Sequence, residues 1–221
     1  MHHTHLDKIS STQSYLTENI NELSHPTLIS CDQQTEGKGQ YDRIWHSFDG
    51  TVCFSFTWEA ASITSLTSLE IGFLITQFIK AEYNIETFLK WPNDILDSKG
   101  HKLGGILIHN TRSSYYVVGV GFNLFSSSSD TKQKFKNAFL FNTPQSKKSF
   151  CSKLYNYILK NRISSNLITD KWTKRNLYHN KRVRLVTKEN EIIGTFNGIQ
   201  NDGAILINQK AFYSGSLFIA E

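Results

Sequence analysis

Lys90-Trp91-Pro92-Asn93-Asp94, followed by Lys102-Leu103-Gly104-Gly105-Ile106-Leu107-Ile108, is the stretch from which this chain is best understood. Phe88-Leu89 is a short apolar run that ends in Lys90, just before Trp-Pro. Pro92 biases Trp91 towards extended backbone and cannot itself donate to a ladder. Lys90 is therefore expected at a strand end, with Asn93-Asp94 opening a turn and Lys99-Gly100 marking a second one. Lys102–His109 reads as a strand whose two glycines admit a close backbone or ligand. An ammonium on such a frame is suited to neutralising a carboxylate or phosphate. Taken alone, Lys90 reads as a surface lysine.

A second stretch lies upstream: Gln34-Thr35-Glu36-Gly37-Lys38-Gly39-Gln40-Tyr41-Asp42-Arg43-Ile44-Trp45. Gly-Lys-Gly on a loop offers backbone N–H groups and a cation, the chemistry that wraps an anion. By itself it also fits an ordinary surface loop.

Around these motifs the pattern predicts short elements. His5 to Ile9 reads as a strand, Thr12 to Asn21 as a helix capped by Ser10 or Ser11, and Thr27 to Asp32 as a second strand. Val52 to Trp58 alternates as a strand. Ser65 to Glu82 is the best helical pattern; it holds Leu66, Leu69, Phe73, Leu74, Gln77 and Phe78 and is expected to bury one face. Lys102–His109 and Tyr115–Gly121 form a hairpin across the turn-like Asn110 to Ser114. Ser126–Ser129 is a loop and Phe150 to Leu159 a helix. From about His179 short strands alternate with the turns Glu189-Asn190 and Asn201-Asp202-Gly203, the pattern of a small β-barrel. The fold class is α+β.

With 221 residues, 39% hydrophobic and 13% aromatic, the chain is globular and holds one core, or one core plus a satellite. No apolar run approaches the ~20 residues of a membrane span, and no signal-peptide pattern opens the chain. Cys31, Cys53 and Cys151 are far apart with no Cys-x-x-Cys, so reduced thiols in a cytoplasmic protein are expected. His2, His3 and His5 read as a frayed or strand-starting terminus ahead of a metal site. Half of the 24 basic residues lie between Lys147 and Lys188, where Asp170 is the only acid. That excess suits nucleic acid, ATP, an acidic partner or a solvated face.

Four motifs come in order: Gln-Thr-x-Gly-Lys-Gly-x-x-x-Arg-x-Trp, Lys-Trp-Pro-Asn-Asp, Lys-Leu-Gly-Gly-Ile-Leu, and Gly119-Val120-Gly121-Phe122-Asn123-Leu124. Together they resemble the biotin protein ligases, which biotinylate the carrier domain of biotin-dependent carboxylases. Ser11-Thr12-Gln13 is similar to that family's Ser-Thr-Asn. The resemblance runs from about Leu6 to the C-terminus. It implies a mixed β-sheet flanked by helices, of the class II synthetase-like type, over residues 1–178. A small Src-homology-3-like β-barrel would follow over 179–221. Many relatives carry a helix-turn-helix domain in front; here the first strand is expected almost at Met1, so no DNA partner is expected.

Joining a carboxylic acid to an amine needs an activated acyl group. ATP supplies one if the carboxylate attacks the α-phosphorus, giving an acyl-adenylate and pyrophosphate. Two anions must meet, so the site needs cations and N–H donors. It must also exclude water, because a mixed anhydride hydrolyses. The chain has no Walker loop, no third glycine of a dinucleotide fingerprint and no Gly-x-Ser-x-Gly. The resemblance implies this adenylation route, with biotin and ATP as substrates and Mg²⁺ on the phosphates. It implies a biotin carboxyl carrier domain as partner, and a monomer or weak homodimer.

Roles carried by the resemblance fall on named positions. Ser11, Thr12 and Gln13 match the contacts to the ureido ring; Ser11 also reads as a plain N-cap. Gln34 matches the glutamine bordering biotin. Gly37, Lys38 and Gly39 match the loop over biotin and the acyl phosphate, with Gln40 beside them, and Arg43 matches a later arginine of that loop. Lys90 matches the lysine touching both the biotin carboxyl and the α-phosphate, so Lys90, Arg43 and Lys38 are the catalytic candidates. Gly119 and Gly121 match glycines beneath biotin, or serve sheet packing. Asn123 matches an asparagine beside adenine, and Trp45 and Asn93 join Arg43 on the ATP side; Trp45, Trp58 and Trp91 also read as core or loop anchors. The chain departs from the pattern at Lys38 and Gln40, where relatives carry arginines, and at Asp42, in place of a third glycine. Rival readings are a lipoate or octanoate ligase, whose Arg-x-x-Gly-Gly-Gly and His-Asp are missing, and a nucleic-acid-binding protein using the basic third.

Overall fold

The structure is a computed structural model that describes residues 1–59, 63–111, 114–125, 139–141 and 145–220. Ser126–Ser129, Arg112 and Ser113 lie outside the described residues. In chain order the elements are β1 (His2–Ile9), α1 (Thr12–Glu18), β2 (Thr27–Gln34), β3 (Thr51–Glu59), α2 (Thr67–Tyr83), β4 (Phe88–Lys90), β5 (Asp94–Leu96), β6 (Lys102–Asn110) and β7 (Tyr115–Asn123). Then come α3 (Lys147–Lys160), α4 (Ser165–Arg175), β8 (Arg182–Val186), β9 (Glu191–Ile199), β10 (Ile205–Ile207), β11 (Lys210–Phe212) and β12 (Ser216–Ile219). The chain divides into two compact units, Met1–Ala60 with His101–Lys160, and Ala61–Gly100 with Asn161–Glu221.

In the first unit the strands lie in the order β1-β2-β3-β7-β6. β1 runs parallel to β2, and the other pairings are antiparallel, which makes the sheet mixed. Successive side chains point to opposite faces of a strand. One face carries Phe54, Phe56 and Phe122, all fully buried. Helix α3 covers it: the Tyr155 ring lies 4.6 Å from that of Phe56 and its hydroxyl donates to Thr57 O at 2.6 Å. Phe150 meets Phe122 at 5.9 Å. Each such ring contributes roughly 1.5–3 kcal/mol by leaving water. The other face carries Ile29 and Val117, which pack with Leu16 and Ile20 at and just beyond α1.

The N-terminal strand starts at His2, three residues before the expected His5. Histidine bonds hold it. His3 bonds Ser152 and Ser30 through its two ring nitrogens, at 2.6 and 2.7 Å, and His5 reaches Ser30 at 2.8 Å and Asp32 at 3.4 Å. Burial, helped by neighbouring His5 and Lys148, pulls the His3 pKa down to about 4.

The second unit is built on α2. Leu69, Leu74 and Phe78 are buried along it, as the sequence predicts; Ile71, Ile75 and Ile79 are buried as well, whereas Phe73 is half-buried. Glu70, also fully buried, was not foreseen; it accepts from Arg162 at 3.3 and 3.4 Å and from Ile163 N at 3.2 Å. A buried carboxylate persists only with such partners. Helix α4 was not expected either; it buries Ile168 and Trp172. Asp94, expected in a turn, instead opens β5, which pairs antiparallel with β4. The C-terminal strands form a five-stranded antiparallel sheet in the order β11-β10-β9-β8-β12. The single strand expected over Phe212–Ile219 is split, with Gly215 at φ 135° between its parts.

All three cysteines are buried and free. Burial pushes the Cys31 thiol up to about 12 and the Cys53 thiol to about 11, and raises Cys151 as well. Thiolate attacks and thiol does not. A thiol-exchange reagent at pH 8 is therefore expected to find no fast-reacting cysteine in the folded protein and three after denaturation. One rapid equivalent in the native state would contradict this burial.

His3 gives a pH prediction. Its folded pKa lies below the unfolded value of ~6.5, so the unfolded chain binds the extra proton. The resulting stability is complete above about pH 6.5 and is lost as pH falls towards 4. The melting temperature of His3→Gln should fall less steeply than that of the parent between pH 7 and 4. Parallel declines would remove His3 as the source.

Candidate functional site

The α1 face of the first unit carries a polar cluster over a floor of glycines. In the register of β3, β7 and β6, Ser55 faces Gly119 and Cys53 faces Gly121, and these two glycines face Leu107 and Gly105 in turn. The other side of the same strands is aromatic, so the small residues leave room on this side only. A Cβ on Gly119 would lie 2.6 Å from Gln13 Oε1, and one on Gly121 would lie 2.2 Å from the Trp45 ring. Both positions are closed to any side chain while those neighbours stay.

Ser11 caps α1, its hydroxyl accepting from Ser14 N at 3.3 Å. Thr12 donates through its N–H (2.8 Å) and its hydroxyl (3.0 Å) to Gln34 Oε1, and its hydroxyl also lies 2.9 Å from Ser55 Oγ. Gln13 donates to Leu107 O at 3.2 Å. Ser11, Thr12, Gln13, Gln34, Gly119 and Gly121 are thus gathered on one face. Ser55 joins them and was missed: the alternation placed its strand, but no motif marks it.

The Gly37–Trp45 loop closes on itself. Gly39 N–H donates to Arg43 O at 2.7 Å and Trp45 N–H to Gly37 O at 2.9 Å, with Lys38 bridging Ile44. A Cβ on Gly37 would meet Trp45 O at 2.3 Å. Tyr41 stands in the left-handed region within this turn, at φ 55°. Lys38 and Arg43 are exposed, and Gln40 is half-buried. Trp45 lies over Gly121 with the Lys102 ammonium 5.7 Å from its ring centroid. Lys102 belongs to a motif noted in the sequence, but only the fold sets it beside this loop. Asn123 is buried and donates to Lys102 O at 3.2 Å.

Lys90 and Asn93 belong to the second unit. Lys90 ends β4, directly opposite Asp94, and its ammonium lies 2.8 Å from Asp94 Oδ2. Trp91, buried, donates through Nε1 to Gly203 O at 3.3 Å, which ties this turn to the turn before β10. The Trp91–Pro92 bond is cis. Burial raises the Tyr178 hydroxyl pKa, with the positive field of Lys90 opposing. Among the described residues no group of three or more His, Cys, Asp or Glu side chains is arranged to hold a metal ion.

Residues 6–123, more than half of the chain, match the Biotin/lipoate A/B protein ligase family. The bifunctional ligase/repressor BirA of Bacillus spizizenii is 33% identical over 145 residues, 62% of this chain and 44% of that protein. BirA of Escherichia coli is 25% identical over 224 residues, 92% of this chain and 68% of that protein. The chain spans less than half the length of the first curated relatives it matches. A biotin protein ligase from Aquifex aeolicus in complex with biotin and ATP shares the fold, with a TM-score of 0.82 at 23% identity, over 99% of this chain and 98% of that one. The biotin acetyl coenzyme A carboxylase synthetase of Helicobacter pylori, with bound biotinylated ATP, gives 0.75 at 22% identity over 96% and 98%. By its motifs and by this match, the chain belongs to the biotin/lipoate A/B protein ligase family.

Proposed function

We propose that this protein is a biotin protein ligase: it converts biotin and ATP to biotinyl-AMP and passes biotin to a lysine of a biotin carboxyl carrier domain. The observation that carries this reading is the Thr12–Gln34–Ser55 hydrogen-bonded cluster over Gly119 and Gly121. A ureido ring presents two N–H donors and one carbonyl acceptor on a small flat body. Hydroxyls and side-chain amides on a side-chain-free floor match that chemistry. A lipoyl ring has no such polar edge and is not favoured. The curated relatives are named biotin ligases or BirA.

In this scheme Ser11, Thr12, Gln13 and Gln34 orient biotin and the Gly37–Gly39 loop shields the acyl phosphate. Lys90, Lys38 and Arg43 offset the charge of the meeting anions, and Arg43, Trp45, Asn93 and Asn123 serve the nucleotide. Lys90 already faces a carboxylate, that of Asp94, which is the kind of group it would neutralise in the substrate. Mg²⁺ comes in with ATP; such an ion takes most of its ligands from phosphates and water. The biotinyl group then moves to the carrier lysine as AMP leaves. A biotin carboxyl carrier domain as partner, a cytoplasmic site and a C-terminal barrel over 179–221 complete the proposal; no described helix is long and apolar enough to cross a membrane.

Mass spectrometry of a carrier domain after incubation with the protein, biotin, ATP and Mg²⁺ tests the activity; an unmodified carrier lysine refutes it. Lys90→Ala is expected to lose roughly 10²–10³-fold in biotin-dependent pyrophosphate exchange, the scale of one preorganised charge stabiliser. Near-parental exchange would remove Lys90 from the chemistry.

Gly121→Ala forces the Trp45 indole off the sheet. Intrinsic tryptophan emission should change before any ligand is added, and kcat/KM for exchange should fall about ten- to hundredfold through misplacement of the loop. Unchanged emission with parental kinetics would show that Trp45 does not depend on this glycine.

A further inference from the structure

Strand β12 pairs with β8, and Phe218 stands directly across from Arg184. Its neighbour Leu217 is fully buried, whereas Phe218, on the opposite face of the strand, is 40% exposed. The ring therefore adds little to the core of the C-terminal sheet. It meets two cations instead: Lys90 Nζ lies 5.6 Å from the ring centroid and the Arg184 guanidinium carbon 5.3 Å. Both distances fall within the reach of cation–π attraction.

Lys90 has a flexible four-carbon stem and three N–H donors. Asp94 engages one side of the ammonium at 2.8 Å. A carboxylate alone would hold the charge but also neutralise it. An aromatic face attracts the ammonium through its quadrupole without a net charge and without filling a conventional acceptor site. Arg184 shares the ring, and its own charge is answered by Glu191 at 3.2 Å, so it does not drive Lys90 away.

We propose that Phe218 is a positioning residue for Lys90: its ring keeps the ammonium on the frame from which it addresses the anion being activated. The inference rests on the ligase activity proposed above. It makes a residue three positions from the C-terminal end of the chain a determinant of the first half-reaction. Phe218 touches neither substrate in this scheme; it acts through Lys90.

The test compares the parent with Phe218→Leu, which keeps apolar bulk, and Phe218→Tyr, which keeps the aromatic face. Biotin-dependent pyrophosphate exchange should show kcat reduced about 3- to 30-fold in Phe218→Leu with the KM for biotin little changed, and near-parental kcat in Phe218→Tyr. In the free protein, the Lys90 Cε resonance, assigned by its loss in Lys90→Arg, should carry a ring-current shift. That shift should vanish in Phe218→Leu and persist in Phe218→Tyr. Phe218→Leu as fast as the parent, or Phe218→Tyr as slow as Phe218→Leu, overturns the positioning role while leaving the ligase reading intact. An unshifted Lys90 resonance in the parent overturns it regardless of kinetics. A parent that catalyses no exchange overturns the ligase reading and the role of Phe218 with it.

Discussion

The asymmetry of β3 and β7 is the constraint on which the first unit depends. Strand alternation sends Phe54, Phe56 and Phe122 to one face and Ser55, Gly119 and Gly121 to the other. The aromatic face needs a helix with large apolar residues, and α3 supplies Phe150, Leu154 and Tyr155. The small-residue face cannot be filled by its own strands. Helix α1 covers one end of it through Leu16, and the Gly37–Trp45 loop lays an indole over another part. The core and the candidate site are two consequences of one period-two pattern. A register slip of a single residue would exchange them.

On that face Thr12, Gln34 and Ser55 satisfy one another. Gln34 Oε1 accepts twice from Thr12, and the Thr12 hydroxyl reaches Ser55. Such a cluster fixes side-chain orientation before a ligand arrives, and preorganised donors and acceptors give selectivity that loose ones do not. The second unit applies the same economy to charge. Glu70 has Arg162, Asp94 has Lys90, and Glu86 has both Lys80 and Arg175.

Much of this was legible in the sequence because its signals are local. Alternation in Val52–Trp58 gave β3, apolar spacing gave α2, and the ordered motifs gave the family. Thr12, Gln13, Gln34, Gly119 and Gly121, named from the motifs, lie on one face of the first unit. What was not legible depends on partners distant in sequence. Helix α4 buries Ile168 and Trp172, but it is polar overall, with Leu167, Ile168 and Trp172 as its apolar residues, so little in the sequence marks it. Glu70 reads as a solvated helix residue until Arg162, far along the chain, is placed against it. Ser55 and Phe218 sit in strands with no motif around them. The turn chemistry misled at Asp94, where pairing with Lys90 outweighs the tendency of Asn-Asp to bend.

The two units are interleaved along the chain, and this has a consequence for how the protein acquires its structure during synthesis. Residues 61–100 emerge early but find their unit mates only in residues 161–221. The apolar stripe of α2 is thus translated well before the strands and helix that complete its unit. At ribosomal speeds of ~5–20 residues per second, the intervening 101–160 segment imposes a delay of several seconds. Only at the end of that interval have β6, β7 and α3 been made, so that the first unit can close around its own sheet while α2 still waits for residues 161–221 with its stripe uncovered, the point in the life of the chain at which a chaperone has most to hold.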